Sequence, residues 1–275
     1  MKRAAVIGSP VAHSKSPLIH GAWLKQYGIH GGYTRVEVQP DALPAFLDRI
    51  RGGEFVGCNV TMPLKAHIAR HVDEVLPAAR VLGSVNTVWR GDAGRLIATS
   101  TDGEGFVGHL DLAAPGWRDG DGGVLVLGAG GAARAIVDAL LRTGAGDIAV
   151  TNRTVARADE LAALFAGKVA VKDWVGRGSN LGATSLLINT TSLGMTGQPP
   201  LEMPLDGLAG NAIVADIVYA PLKTNLLAEA EARGLQAVDG LGMLLHQAVP
   251  GFERFFGVRP QVHDELRDIV LGAGS

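Results

Sequence analysis

The stretch VLVLGAGGAARA at residues 124–135 decides the fold. Four apolar residues lead into Gly128, Gly130 and Ala133, which match the pattern G-x-G-x-x-G/A, and a helical pattern follows. The first glycine permits a tight turn, the second lets a ligand approach the backbone, and the small third residue lets the helix pack on the strand. The start of the helix then presents N–H groups to a pyrophosphate. The stretch predicts a dinucleotide-binding unit, with a merely glycine-rich turn as the alternative.

The end of the next strand indicates which dinucleotide binds. That strand is expected to end near residue 151, where an NAD enzyme places an Asp or Glu on the ribose hydroxyls. Here the chain has Asn152 and Arg153, with Arg157 one helical turn later. Asn152 lies 24 residues beyond Gly128, close to the usual interval of about 20. Two guanidiniums without a carboxylate favour a 2′-phosphate, so NADP is predicted over NAD. For Arg157, an ordinary solvated helix residue is the alternative.

Short β-type runs alternate with helical patterns on both sides of this unit. AAVIG, YTRVEV and FVGCNV each precede a helical pattern, the third of which is PLKAHIARHV. SVNTVWR and RLIATST are separated by a Gly- and Asp-containing stretch at 91–94, which predicts a hairpin at the antiparallel edge of the first sheet. The two final segments, LGMLLHQAVPGFERFFG and PQVHDELRDIVL, are helical by periodicity.

The alternation predicts an α/β fold of two domains. The alternation of strand and helix patterns is interrupted at AAPGWRDGDGG (113–123) and resumes after it, so we place a domain junction near this segment. We expect an N-terminal α/β domain with a mixed, mostly parallel sheet, formed by residues 1–103 and 241–275. Residues 104–240 are expected to form a Rossmann domain.

Composition excludes several classes of protein. The 275 residues are 47% hydrophobic and 19% charged, as in a globular chain, and the net charge of −2 comes without a basic stripe for nucleic acid. The single Cys58 lies in an apolar run and forms no intrachain disulfide. No signal-peptide core or apolar run of about 18 residues occurs, so we expect a cytoplasmic protein without a membrane partner. His13, His20 and His67 lack ligand spacing, so no metal is expected.

Eight short blocks in chain order resemble the signature of the shikimate dehydrogenases. They are SKSP (14–17), NVTMPLK (59–65), VNT (85–87), STDG (100–103), GAGGA (128–132), NRT (152–154), NTTSLGM (189–195) and DGLGM (239–243). The blocks span the chain from its N-terminal region to about residue 250.

The resemblance implies a fold and a reaction. A substrate domain and a Rossmann NADP domain would face each other across a cleft, with the last helices returning to the substrate domain. The reaction would be the reversible NADPH-dependent reduction of 3-dehydroshikimate to shikimate, a step in chorismate and aromatic amino-acid biosynthesis. Lys65 and Asp102 would be the catalytic pair.

The resemblance also implies the residues of both binding sites. Those expected to contact shikimate, or to support its pocket, are Ser14, Ser16, Asn59, Thr61, Asn86, Asp102, Tyr219 and Gln247. Those expected to bind the cofactor are Gly128, Ala129, Gly130, Gly131, Ala132, Asn152, Arg153, Thr154, Arg157, Thr190, Ile217 and Gly240. The chain departs from the family at Pro77, near which some relatives carry an acidic residue that approaches the cofactor. A proline cannot replace that acidic residue.

The chemistry of the two catalytic candidates fits these roles. A lysine whose pKa is lowered by its surroundings serves as acid in one direction and base in the other, and Asp102 would orient the ammonium and accept a substrate hydroxyl. Alone, Lys65 in a helical pattern is more often a solvated residue, and Asp102 more often a turn or helix-cap residue. Ser14 and Ser16 could equally cap the following helix.

Three alternatives stay open. A quinate or dual quinate/shikimate dehydrogenase would share the fold and the Lys–Asp pair, but such relatives often accept NAD and would favour an acidic residue where this chain has Asn152–Arg153. A non-catalytic NADP-binding regulatory module would have no reason to keep Lys65 and Asp102 together with the hydroxyl-bearing pocket. A homodimer is also open.

Overall fold

The computed structural model describes residues 1–179 and 181–272, and the chain divides into two compact units. Unit 1 comprises Met1–Gly105 with Leu245–Ser275, and unit 2 comprises Phe106–Leu244. The segment 113–123, near which the sequence predicts a junction, lies inside unit 2. The chain passes from unit 1 to unit 2 between Gly105 and Phe106, inside one continuous helix (Asp102–Ala113), so this junction is not a loop. The exact limits 1–103, 104–240 and 241–275 stay predictions.

Unit 1 contains a six-stranded sheet with helices packed on it. Its elements up to the crossing helix are β1 (Lys2–Gly8), α1 (Ser16–Gln26), β2 (Gly31–Glu37), α2 (Leu43–Arg51), β3 (Gly57–Val60), β4 (Glu74–Val75), α3 (Pro77–Leu82), β5 (Thr87–Arg90), β6 (Leu96–Thr99) and α4 (Asp102–Ala113).

Unit 2 contains a second six-stranded sheet. Its elements are β7 (Gly123–Leu127), α5 (Gly131–Arg142), β8 (Ile148–Thr151), α6 (Val155–Ala163), β9 (Val169–Lys172), β10 (Thr184–Asn189), β11 (Ile213–Asp216), α7 (Asn225–Ala232), β12 (Gln236–Val238) and α8 (Gly240–His246). Helix α8 leads back to unit 1, which ends with α9 (Ala248–Phe256) and α10 (Asp264–Gly272).

The sheet of unit 1 is mixed, as predicted. Its strand order is β2-β1-β3-β5-β6-β4; β1 pairs in parallel with β2 and β3, whereas β3–β5 and β5–β6 are antiparallel. The predicted hairpin is therefore present, but its place at the edge of the sheet is wrong. The two-residue strand β4 pairs in parallel with β6 and forms the edge. A strand this short carries no alternation that the sequence could reveal.

The segment PLKAHIARHV is not the α-helix that the sequence predicts. Two consecutive 3-10 turns, Leu64–Ala66 and Ile68–Arg70, occupy it. In an α-helix the carbonyl of Lys65 would accept the N–H four residues later, but here it accepts the N–H of Val85 at 2.9 Å. The tertiary bond thus holds the Lys65 backbone against the segment that leads into β5.

The sheet of unit 2 is fully parallel and doubly wound. Its order is β12-β11-β10-β7-β8-β9, which read from the other end is the Rossmann order 3-2-1-4-5-6. Alternate residues of β7 pack into two separate cores, Val124 and Val126 on one face and Leu125 and Leu127 on the other. Helices on both faces require this all-apolar strand.

Strand β9 is a part of unit 2 that the sequence analysis did not identify. Its sequence, VAVK, follows Gly167 and Lys168 and pairs in parallel with β8, with Val169 opposite Ile148. Only Val169 is buried in it, so the alternation is weak. Among the described residues, no helix combines the length and the apolar character that crossing a membrane requires.

Candidate active site

Lys65 and Asp102 form an ion pair in unit 1, although they lie 37 residues apart in the chain. Lys65 Nζ is 2.7 Å from Asp102 Oδ2, with side-chain exposures of 30% and 13%. Asp102 is the first residue of α4, where the partial positive charge of a helix N-terminus stabilises a carboxylate. The structure therefore combines an amine and a carboxylate that are accessible yet held in one geometry.

Asn86 holds the second oxygen of Asp102. Its Nδ2 donates to Asp102 Oδ1 at 2.7 Å and lies 3.3 Å from Gln247 Oε1. The Thr101 hydroxyl donates to the backbone carbonyl of Gln247 at 2.7 Å, which fixes the start of α9 against the start of α4. Four predicted site residues, Lys65, Asn86, Asp102 and Gln247, thus form one connected cluster.

Ser14 and Ser16 lie together in the loop before α1 and at its first residue. The Ser14 hydroxyl donates to Ser16 Oγ at 3.2 Å and also receives the Ser16 backbone N–H at 3.3 Å. Arg35 on β2 holds this loop by donating to the Ser14 carbonyl at 2.6 and 3.0 Å. The Ser14 hydroxyl thus receives the N–H of the first residue of α1, although the N-cap residue itself, Lys15, makes no side-chain cap. The role of the two serines in substrate binding stays a prediction.

Thr61 lies at the carboxyl end of β3 beside the end of β1. Its N–H donates to the Ile7 carbonyl, and a Cβ on Gly8 would come within 2.4 Å of the Thr61 methyl. Only glycine permits this approach. Tyr219, in unit 2, is 40% exposed, and partial burial raises the pKa of its phenol. Its predicted part in substrate binding stays a prediction.

Buried aromatic side chains surround Tyr33, which hydrogen-bonds to the predicted site residue Asn59. His20 on α1 stacks on Tyr33 of β2 with ring centroids 3.9 Å apart, and Phe252 and Phe255 of α9 lie beside it. The Tyr33 hydroxyl donates to Asn59 Oδ1 at 2.7 Å. Burial of His20 lowers its pKa from 6.5 to about 3, against a smaller opposing effect of Asn59. His20 is therefore neutral in the folded protein.

This neutral histidine makes stability depend on pH. The unfolded chain takes up a proton on His20 below pH 6.5, whereas the folded protein does so only near pH 3, so the stabilisation is complete above 6.5 and is lost as the pH falls. Between about pH 7.5 and pH 5 the wild type should lose about 2 kcal/mol through this residue. His20→Phe should lack this part of the pH dependence in urea unfolding. Parallel pH dependence of the two proteins would contradict the assignment.

The predicted cofactor residues follow the carboxyl ends of neighbouring strands in unit 2. The glycine loop follows β7, residues 152–157 follow β8, Thr190 follows β10, Ile217 follows β11 and Gly240 follows the last strand, β12. Because all six strands are parallel, these positions lie along one edge of the sheet. That edge contains the switch in strand order between β7 and β10, where ligands bind in doubly wound folds.

Gly128 and Gly130 of the loop serve different purposes. Gly128 has φ +109°, and a Cβ there would come within 2.6 Å of Thr190 Oγ1. Gly130 has φ −82°, and a Cβ there would meet no protein atom within 4 Å. The backbone therefore requires glycine at 128 but not at 130. The 12-residue helix α5 starts at Gly131, so its unpaired N–H groups face the space beside Gly130.

Arg153 and Arg157 are exposed at the start of α6. Asn152 Nδ2 donates to the Thr154 carbonyl at 2.8 Å and shapes the turn between them. Within residues 1–179 and 181–272, neither guanidinium has a carboxylate within 4.0 Å, unlike Arg142 on α5, which pairs with Asp138. Both guanidiniums are therefore available to an anion.

Two further features bear on the predictions. Pro77 is the first residue of α3, a position that its fixed φ and missing N–H suit, so the proline has a structural reason. Across the described residues, no three His, Cys, Asp or Glu side chains cluster as a metal site would require.

The sequence analysis did not assign roles to Tyr33, Thr87 and Thr101, which hydrogen-bond directly to predicted site residues. Thr87 and Thr101 each adjoin a predicted residue within a signature block, which was the available signal. Nothing in the sequence marked Tyr33.

Comparison with known proteins gives consistent matches over nearly the whole chain. Residues 6–88 match the family described as "Shikimate dehydrogenase substrate binding domain", residues 119–192 match "Shikimate / quinate 5-dehydrogenase", and residues 240–264 match "Shikimate 5'-dehydrogenase C-terminal domain". A shikimate dehydrogenase (NADP(+)) of Azorhizobium caulinodans is 52% identical over 98% of this chain and 96% of its own.

Solved structures are similar at the level of the whole fold. The shikimate 5-dehydrogenase of Thermus thermophilus, in complex with NADP(H) and shikimate, is 36% identical with a TM-score of 0.88 and covers 99% of this chain and 100% of its own. The quinate dehydrogenase of Corynebacterium glutamicum, in complex with NAD, is 29% identical with a TM-score of 0.90 and covers 98% and 99%. The predicted mixed α/β fold with a Rossmann-like part is confirmed.

Proposed function

The chain belongs to the shikimate dehydrogenase family, and we propose that it catalyses the reversible NADPH-dependent reduction of 3-dehydroshikimate to shikimate, with Lys65 and Asp102 as the acid–base pair. The observation that carries the proposal is the 2.7 Å contact between Lys65 Nζ and Asp102 Oδ2, in a partly exposed cluster that also contains the side-chain amides of Asn86 and Gln247. Unit 1 is then the substrate-binding unit and unit 2 the NADP-binding unit.

The bound nicotinamide supplies or accepts the hydride, so the chain itself must handle the proton. In the reducing direction Lys65 Nζ donates a proton to the carbonyl oxygen as it becomes a hydroxyl, and in the other direction it takes that proton back. Asp102 Oδ2 orients the Lys65 ammonium, and the Asp102 carboxylate accepts a hydrogen bond from a hydroxyl of the substrate. Asn86 keeps Asp102 in place through Oδ1.

Hydroxyl and amide groups bind the rest of the substrate. Ser14 and Ser16 offer adjacent hydroxyls from one loop, and Asn86 and Gln247 offer amides beside Asp102. Thr61 and Tyr219 add hydroxyls, and Asn59 supports the pocket from the buried side. A polyhydroxylated carboxylate matches this set of donors and acceptors.

The residues of unit 2 fit NADP. Gly130 leaves room beside the start of α5 for a pyrophosphate, and Arg153 and Arg157 offer guanidiniums to a 2′-phosphate. Ala129, Gly131, Ala132 and Thr154 extend the same contact surface, and Thr190, Ile217 and Gly240 continue it along the sheet edge.

The glycine loop gives a prediction that separates folding from binding. Gly130→Ala should leave the free energy of unfolding unchanged or slightly higher, while NADPH binding weakens about tenfold or more, because the methyl group displaces the pyrophosphate from N–H donors. Gly128→Ala should instead lower the free energy of unfolding by about 1–3 kcal/mol through backbone strain. Urea unfolding and NADPH fluorescence titration measure the two effects. Equal NADPH affinity in wild type and Gly130→Ala would contradict the loop assignment.

Quinate oxidation is the second candidate, favoured by the likeness to the quinate dehydrogenase of C. glutamicum. Asn152 and Arg153 oppose its NAD-linked form, since NAD enzymes favour an acidic residue there. Initial rates with shikimate and with quinate, each with NADP and NAD, test both candidates. We expect turnover to be fastest with shikimate and NADP. Saturating turnover with NAD but none with NADP would overturn the cofactor assignment, and quinate as the faster substrate would favour the second candidate.

Two wider expectations stay predictions of the sequence, namely a cytoplasmic location and a homodimer. Light scattering of the purified protein tests the second.

A further inference from the structure

A chain of buried hydrogen bonds runs from Tyr33 to Asp102. Tyr33 donates to Asn59 Oδ1 (2.7 Å), Asn59 Nδ2 to Thr87 Oγ1 (3.1 Å), Thr87 to Asn86 Oδ1 (2.9 Å), and Asn86 Nδ2 to Asp102 Oδ1 (2.7 Å). The first four residues are 0–9% exposed. Every bond in this chain points toward Asp102, so Asn59, Thr87 and Asn86 each accept one of these hydrogen bonds and donate the next.

The direction of the chain is fixed at Asn86 by a backbone group. The Thr101 N–H donates to Asn86 Oδ1 at 2.9 Å, and an N–H cannot accept. Asn86 must therefore present its NH₂ to Asp102. The reversed amide would place a carbonyl oxygen against a carboxylate oxygen, which is repulsive.

A second backbone group fixes the direction at Asn59. Its Nδ2 lies 3.3 Å from the Asn86 carbonyl, which can only accept, so Oδ1 faces Tyr33. Thr87 lies between the two amides and has one hydroxyl proton. Because Asn59 Nδ2 is a donor to Thr87, that proton goes to Asn86 Oδ1.

Tyr33 is suited to begin the chain. Its ring is stacked on His20 and enclosed, and burial raises the pKa of its phenol well above the ordinary value of 10.0, although a hydrogen bond with Ser16 opposes the shift. The phenol thus stays protonated at neutral pH and remains a donor. Cys58, also buried, adds to the same shift.

From this arrangement we infer that Thr87 and Tyr33 are positioning residues. Their hydroxyls hold the Asn86 and Asn59 amides in the orientation that the backbone groups select, so that Asp102 keeps Oδ1 on Asn86 and turns Oδ2 to Lys65. Both residues act through these amides and not on the reacting atoms. The inference rests on the proposed function for its catalytic consequence, but the orientation of the Asn86 amide is a property of the protein alone.

Replacing Thr87 separates its hydroxyl from its methyl group. Thr87→Val keeps the shape and removes the hydroxyl, whereas Thr87→Ser keeps the hydroxyl and removes the methyl. We expect Thr87→Val to lower kcat about tenfold, the effect of a buried hydrogen bond lost, with a smaller change in KM for NADP, and Thr87→Ser to restore kcat to within about twofold. A packing role predicts the opposite order, with the serine variant worse, and that order would overturn the inference.

Thr99→Val is the matched control. Thr99 lies opposite Thr87 across the β5–β6 pair and enters none of these hydrogen bonds. It should keep the wild-type kcat, and a loss equal to that of Thr87→Val would mean that any valine in this pair disturbs the sheet, which would overturn the inference.

A double-mutant cycle tests whether Tyr33 acts through Thr87. Tyr33→Phe alone should lower kcat about threefold. When Tyr33→Phe is combined with Thr87→Val, kcat should fall by less than about a further twofold, since the chain of hydrogen bonds is already interrupted at Thr87. Fully multiplicative effects would show that Tyr33 acts independently.

NMR spectroscopy observes the Asn86 side-chain amide directly and needs no substrate. The side-chain NH₂ signal of Asn86, assigned by its absence in Asn86→Asp, should keep its chemical shift and slow hydrogen exchange in Thr87→Ser. In Thr87→Val the signal should move and exchange at least about tenfold faster, because a donor that fixes the amide is gone. An unchanged signal in Thr87→Val overturns the inference even if the wild type oxidises shikimate. A wild type without shikimate turnover overturns the proposed function alone, since the NH₂ signal still decides the positioning.

Discussion

Replacing Lys65 by alanine is expected to lower kcat for NADP-dependent shikimate oxidation by about 10²–10⁴-fold, the usual contribution of a positioned acid–base group. The reason is geometric. Lys65 Nζ is the amine that Asp102 Oδ2 holds at 2.7 Å, at 30% exposure and within a cluster of hydroxyl and amide groups. Initial rates of NADPH formation measure the loss. NADPH affinity should change little, because Lys65 lies in unit 1 and the predicted dinucleotide contacts lie in unit 2.

Two companion variants separate proton transfer from charge. Lys65→Arg keeps a positive donor beside Asp102 but cannot give up its proton near neutral pH, so its kcat should stay low. Asp102→Asn keeps the shape of the side chain and loses the charge that orients the ammonium, so it should also lower kcat. Lys25→Ala, at an exposed lysine of α1, is the control and should match the wild type. Wild-type kcat in Lys65→Ala would remove the proton-transfer role.

The second large effect is expected from the two guanidiniums after β8. Replacing both Arg153 and Arg157 by alanine should lower kcat/KM with NADP by about 100-fold, roughly tenfold for each charged hydrogen bond lost at an exposed site. Turnover with NAD, which has no 2′-phosphate, should hardly change. The preference for NADP should therefore disappear in the double variant.

Salt provides an independent measure of the same contact. Raising the ionic strength from about 0.01 to 0.15 M shortens the Debye length from about 30 to 8 Å. In the wild type this change should therefore weaken the binding of NADP more than the binding of NAD. In the double variant it should affect the binding of both cofactors equally. Arg142→Ala is the matched control, since that exposed arginine pairs with Asp138 on its own helix. A double variant that still prefers NADP would contradict the assignment.

Much of unit 2 could be predicted from the sequence because its signals are local. The glycine loop requires only a strand, a turn and a helix in succession. The four consecutive apolar residues of β7 indicate a strand that is buried on both faces. Strand β9 was not predicted because three of its four residues are exposed, and β4 was not predicted because two residues form no pattern of alternation. Short edge strands exist through their partners, which the local sequence does not contain.

The candidate site shows a different limit. Lys65 and Asp102 were paired only through resemblance to a family, since neither spacing nor periodicity relates residues 37 apart in the chain. The segment that carries Lys65 was wrongly predicted as an α-helix, because the bond from Val85 to its carbonyl is tertiary. Tyr33 had no signal in the sequence, and Thr87 had only its place beside Asn86 in a signature block. The roles of both follow from the direction of hydrogen bonds between strands that only the folded chain brings together.

Chemical rescue of Lys65→Ala tests the central claim most directly, namely that the Lys65 amine moves the proton beside Asp102. The measurement is the initial rate of NADPH formation from shikimate by Lys65→Ala as ethylamine is added, with the wild type and Lys65→Arg alongside. We predict a rate that is very low without the amine, rises with its concentration and rises further with pH, while both other proteins show no such response. Turnover by Lys65→Ala at the wild-type kcat with no amine present would contradict the claim.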